Sequence, residues 1–189
     1  RHAIWDASRY APASQPRCAR LEVQPAFLIF AGKEKNQKGG GSLMSGITRQ
    51  PEFGIVIFSF LLHFVWEYLQ APTYAEMMNL PHWEGVKLCT SATIGDVGFA
   101  LVAFWVASAS VRSRAWLLSP KTLPFLAYLG TGVMLTVGFE FYYTQISLRW
   151  AYSDLMPLVP PLGTGLSPLL QWLAIPPIVL WLTRRHIGT

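Results

Sequence analysis

Residues 53–70 read FGIVIFSFLLHFVWEYLQ, an almost unbroken apolar run interrupted by His63, Glu67 and Gln70. A helix that crosses a bilayer needs about 20 mainly apolar residues, and this stretch meets that length. Three more stretches do the same: about 92–111, about 124–143 and about 166–182, the last short and carrying Pro176-Pro177. A proline lacks the N–H that closes a helical turn, and its ring clashes with the carbonyl four residues back. The pair therefore predicts a break in the fourth span. Four such runs in 189 residues predict an all-α, polytopic membrane protein, a bundle of four transmembrane helices.

Composition agrees. The chain is 52% hydrophobic and 13% charged, with mean hydropathy +0.33; an ordinary soluble chain carries about 25% charged residues. The net charge of +5 sits mostly at the start: residues 1–43 hold seven of the fifteen Lys/Arg and three of the ten Asp/Glu. With that segment set aside, there is no basic helix or basic-aromatic patch that would recognise nucleic acid. Residues 1–43 lack sustained periodicity and end in Lys38-Gly39-Gly40-Gly41-Ser42-Leu43 before Met44. Lys-Gly-Gly can be encoded by a purine-rich bacterial ribosome-binding sequence. The segment is expected to be disordered or a non-native translated leader, with residues 44–189 forming the transmembrane domain. An Arg-rich transit peptide is the alternative, against which Asp6, Glu22 and Glu34 speak. Cys18 falls in this segment, which leaves Cys89 without a disulfide partner in the rest.

Orientation follows the Lys/Arg bias of short loops. Arg49, Arg112, Arg114, Lys121, Arg184 and Arg185 lie on one side, and Lys87 and Arg149 on the other. This predicts both termini in the cytoplasm, with loops 71–91 and 144–165 outside. Trp83 and Trp150 are then expected at the outer interface, and Trp116 and Trp181 at the inner one.

Ionisable groups inside a span are costly, by about 2.5–3.5 kcal/mol on insertion scales. His63, Glu67, Asp96 and Glu140 all fall at similar depth, in the outer leaflet by this topology. Ser59, His63 and Glu67 share one helical stripe; Cys89, Thr93, Asp96, Ala100, Ala103 and Ala107 form a small-residue stripe on the second span, and Gly132, Thr136 and Glu140 one on the third. Small residues let membrane helices approach closely, so the acids are expected to face the interior together, while Leu101 and Leu135 face lipid. Glu67, Glu140 and Asp96 are the candidate catalytic groups. Gln171, Arg149, Trp150 and Tyr152 are expected at the rim, Arg149 as the cation that offsets the carboxylates. His63, Glu67, His82 and Glu140 form a candidate divalent-metal set, since mixed N/O ligands suit Zn, Fe or Mn. The Pro- and Trp-rich outer loops either lid a cavity or anchor the helices. No nucleophile elbow, P-loop or dinucleotide fingerprint occurs.

The run 63–74 (HFVWEYLQAPTY), His82-Trp83, Gly95-Asp96, and Arg149-Trp150-Ala151-Tyr152 with Met156-Pro157 resemble a family of small, uncharacterised four-helix bacterial inner-membrane proteins. The resemblance covers most of residues 53–185 and implies four spans in the bacterial cytoplasmic membrane, without an activity. The chain is also similar, more faintly, to lycopene-cyclase-type carotenoid membrane domains, with a Trp-x-Tyr, a Gly-rich turn and a Pro before a polar pair. Here Pro168 precedes Gln171-Trp172, where those enzymes carry adjacent acids.

Three functional classes follow: a binding, assembly or structural module built on the polar cluster; an enzyme acting on a lipid or isoprenoid by acid–base or metal-assisted chemistry; and a subunit of a proton- or metal-linked transporter, functioning as a homo-oligomer. For the topology, a reporter fused after Arg185 should read cytoplasmic and one placed beside Asp154 external; the reverse pattern refutes the orientation.

Overall fold

The computed structural model describes residues 46, 48–119 and 121–188; the expected leader, 1–43, lies outside them. Four long helices carry the fold: α1 (Pro51–Gln70), α2 (His82–Ser110), α3 (Thr122–Phe141) and α4 (Leu166–Ile187). All four are long and apolar enough to cross a membrane. Each packs against two neighbours, in the order α1, α2, α3, α4 around a closed ring.

Local chemistry sets the boundaries. Pro51 opens α1, where its missing N–H has no partner to lose. Pro81 precedes α2, which starts about ten residues before the apolar run expected at 92. The polar first turns, His82 to Lys87, were invisible to a search for apolar residues, yet they complete the same helix. Beyond α3 the chain widens into a π-turn, Tyr142–Ile146. It then reverses through Leu148 at φ +49, a strained value for a side chain with a Cβ. The expected break in α4 is corrected: the helix runs unbroken from Leu166 to Ile187 with Pro176 and Pro177 inside it. Trp172 and Ile175 on one side of the prolines and Val179 and Leu180 on the other are all buried. Packing on both sides of the pair holds the helix through two missing hydrogen bonds.

Ile55, Ala100, Ala103, Phe104, Ala107, Tyr128, Trp172 and Val179 lie at the centre of the core. The small-residue faces of α2 and α3 are turned inward. A Cβ on Gly132 would run into the ring of Trp172, and one on Gly54 would lie 2.6 Å from Thr183 Cγ2. Leu61, Val65, Ile94, Val102, Leu126 and Met134 point outward, so the exterior is as apolar as the core. Two expected faces are corrected. Leu101 and Leu135 are both half-buried, and Leu101 packs on the core. Trp116, expected in an interfacial belt, is 4% exposed, lies against Phe104 and Tyr128 and donates to Ser108 Oγ at 3.1 Å. Its N–H finds a partner inside the protein, so the ring has no need of the interface.

At the opposite end, loops 71–81 and 147–165 are laced together. Ala75 N donates to Ala151 O (3.0 Å), Ser153 N to Thr73 O (2.9 Å) and Ala151 N to Glu76 Oε1 (2.8 Å), around a bridge between Tyr74 and Tyr152. A two-residue hairpin, β1 (Leu158–Val159) with β2 (Thr164–Gly165), leads into α4. Together these segments cap this end of the bundle.

Overpacking a tight contact costs typically about 1–3 kcal/mol. Gly132→Ala should therefore lower the unfolding midpoint in mixed micelles, whereas Met134→Ala on the outer face should leave it unchanged. Equal effects would show that the α3–α4 contact is looser than described.

Candidate functional site

Under the cap, α1, α2 and α4 bring His63, Glu67, Gln70, Asp96 and Gln171 together. His63 is fully buried and Gln171 is 1% exposed. The hydrogen bonds can be followed from a group with only one possible role. The indole N–H of Trp66 can only donate, and it donates to Gln70 Oε1 (3.2 Å), with Ser167 Oγ also at 3.3 Å. Ser167 Oγ donates to the same Gln70 oxygen at 2.7 Å. The Gln70 NH2 therefore faces the other way, to Glu67 Oε1 (2.8 Å) and Gln171 Oε1 (3.2 Å). That fixes the Gln171 amide in turn. Its NH2 lies 2.8 Å from His63 Nδ1, 3.0 Å from Glu67 Oε1 and 3.0 Å from Asp96 Oδ2.

An NH2 group has two hydrogens, and here three acceptors surround it. The three therefore share its two hydrogens. The Glu67 and Asp96 carboxyls also meet each other. Trp172 Nε1 supports the arrangement by donating to Asp96 Oδ1 at 3.3 Å. His63 Nδ1 lies 3.5 Å from Asp96 Oδ2, with its ring tilted on Trp172 at 5.3 Å.

Glu140, on α3, has different partners. Tyr74 OH donates to its Oε1 at 3.1 Å, and Tyr152 OH donates to its Oε2. The indole of Trp150 faces the same carboxyl. Tyr152 is itself held by Gly165 N, which donates to the phenol oxygen at 3.0 Å. Burial, and then the Glu140 carboxyl beside them, push both phenols above the usual tyrosine range. They remain protonated donors throughout the physiological range. Glu140 thus ties the cap to the bundle.

A cavity of about 340 Å3 joins the two groups. Glu67, Asp96 and Glu140 open onto it, and its walls include Phe99, Phe139, Tyr143, Trp150 and Trp172. On one side it is bordered by Leu88, Ala92 and Gly95 of α2 and Phe139 of α3, all exposed. The small Ala92 and Gly95 leave an opening there toward the outer surface of the bundle.

The expected site residues thus divide. Glu67, Asp96, Glu140 and His63 are brought to one end as expected. Gln171, expected at the rim, is the central donor instead, because its side chain projects from α4 to groups on both α1 and α2. Trp150 lines the Glu140 end of the cavity, and Tyr152 donates to Glu140 there without lining it. Arg149 borders the cavity but pairs with no carboxylate among the described residues; its guanidinium lies over the Tyr143 ring, 5.4 Å from the centroid. His82 opens α2 away from the acids, where it meets Tyr68 OH at 3.4 Å. The metal set His63, Glu67, His82 and Glu140 is therefore not assembled, and among the described residues no three His, Cys, Asp or Glu are arranged to hold an ion. Sequence reasoning missed Trp66, Gln70, Tyr74 and Ser167. Gln70, one turn after Glu67 at the end of an apolar run, was the available signal.

Removing the central donor leaves buried acceptors without partners, at about 1–3 kcal/mol for each group. Gln171→Leu should therefore lower the unfolding midpoint in mixed micelles well below that of Gln145→Leu, an exposed glutamine; equal midpoints would mean that the amide network carries no stability. No protein-family model, no curated protein and no solved structure matches this chain, so the functional reading rests on the geometry.

Proposed function

We propose that this protein is a multi-pass enzyme of the bacterial cytoplasmic membrane that moves a carbon–carbon double bond in an isoprenoid or other unsaturated lipid by acid–base chemistry. The observation that carries the reading is that acids from three helices open on one cavity whose walls also carry the rings of Tyr74, Phe99, Phe139, Tyr143, Trp150 and Trp172. The Glu67–Asp96 pair delivers its proton to one alkene carbon. The electron pair of the double bond forms the new C–H bond, and the neighbouring carbon becomes cationic. Phe99, Phe139, Tyr143 and Trp172 line the cavity, and aromatic rings stabilise such a positive charge. Loss of a proton from an adjacent carbon to Glu140 or back to the pair restores a double bond one position along. One proton enters and one leaves, so no oxidant, reductant or metal is required. A proton taken up by Glu140 returns across the cavity to the pair, which restores the starting state, and His63, buried against Asp96, holds that carboxyl in position.

With both termini in the cytoplasm, the acids lie in the outer leaflet, close to the headgroups and to a supply of protons. A second reading, in which the network only ties the helices together, is favoured by Gln171, which hydrogen-bonds to both α1 and α2 from α4.

The test is solvent isotope exchange. Protein purified in dodecyl maltoside is incubated in D2O with an extract of bacterial isoprenoids and unsaturated lipids, and products are read by mass spectrometry. Deuterium should enter alkene-bearing species, and Glu67→Gln and Asp96→Asn should slow its entry by at least about 100-fold, the lower range for a general acid. No incorporation by the wild type, or undiminished incorporation by both folded variants, refutes the enzyme reading. Normal exchange with lowered folded yield supports the structural one.

A further inference from the structure

We infer that the Glu140 end of the cavity is a cation-binding subsite that takes the ammonium group of an amphiphilic amine, with its hydrocarbon tail lying along the aromatic walls. The inference rests on the cavity described above, but not on its proton chemistry.

Glu140 is 8% exposed and forms no ion pair with any described residue. Its two phenol donors are neutral, so they solvate a carboxylate without cancelling its charge. Arg149, the nearest candidate counter-ion along the chain, is held over Tyr143 instead. A buried charge is ordinarily paired, and here the unmatched partner lies on the cavity side. A second, independent observation points the same way. Thr136 sits one helical turn before Glu140, lines the same cavity and is 5% exposed, yet its Oγ1 has no hydrogen-bond partner among the described residues. The subsite thus offers an unpaired carboxylate, an unused hydroxyl and the rings of Tyr74, Tyr143 and Trp150. Aromatic faces around a carboxylate recognise alkylammonium groups, while an anionic or purely hydrocarbon ligand gains nothing from Glu140.

Three probes of one shape test this on the wild-type protein in dodecyl maltoside, read by tryptophan fluorescence: octyltrimethylammonium, its uncharged isostere 2,2-dimethyldecane, and the anion octanesulfonate. The cation should bind at least tenfold more tightly than either of the others, and Glu140→Gln should remove that preference. Thr136→Val leaves the cap untouched and should weaken the cation several-fold without changing the isostere. Phosphatidylcholine vesicles distinguish the source: competition identifies a lipid headgroup as the occupant, and its absence identifies a free amine. Equal binding of the three probes overturns the subsite but leaves the cavity reading intact; binding of none overturns both. A cation preference that survives in folded Glu140→Gln also overturns the assignment.

Discussion

The Gln171 amide is the constraint on which the loop end of this bundle depends. Its NH2 meets groups from α1 and α2, and its oxygen is claimed by Gln70. The orientation of both amides traces to Trp66, whose N–H can act in only one sense. A polar group in an apolar bundle is expensive unless it is satisfied. This network therefore depends on its donors, and the Gln171 amide serves the most groups, while the buried His63 Nε2 finds no partner among the described residues.

Packing makes that network possible. The inward faces of α2 and α3 carry alanine, threonine and glycine at helical spacing, so the backbones come close in the lower half of the bundle. Gly132 leaves room for the ring of Trp172, and that ring in turn carries the N–H that steadies Asp96. Higher up, Phe99 and Phe139 meet edge to face at 4.7 Å, and the cavity begins beside them. The same pair of helices thus lines both the core and the cavity.

Much of this was legible in the chain. The apolar runs mark all four helices, and the spacing of Ser59, His63 and Glu67, of Asp96 with its alanines, and of Glu140 with Gly132 places the acids inward. What was hidden depended on tertiary partners. Pro176-Pro177 reads as a break because local propensity knows nothing of the buried side chains on both sides of it. Trp116 reads as an interfacial anchor because its Ser108 acceptor lies eight residues away on another element. Gln171 reads as peripheral, and Gln70 as no site residue at all, because an uncharged amide gives no warning of how many groups it will serve. Arg149 reads as a counter-ion by charge alone, whereas the strained turn at Leu148 and the Tyr143 ring beneath it set its direction.

The cavity has an exposed border along the flank of the bundle, at Leu88, Ala92 and Gly95 on one helix and Phe139 on the next, besides Glu76 and Arg149 in the loops. Were α2 and α3 to span a bilayer, that flank would face acyl chains. A ligand would then arrive by two-dimensional diffusion within the leaflet, without first dissolving in water. Occupancy would follow its mole fraction among the lipids, so a sparingly soluble compound that concentrates in the leaflet would saturate the site at a bulk concentration far too low for a water-facing pocket of equal intrinsic affinity. Selectivity would begin with partitioning, before any side chain is touched.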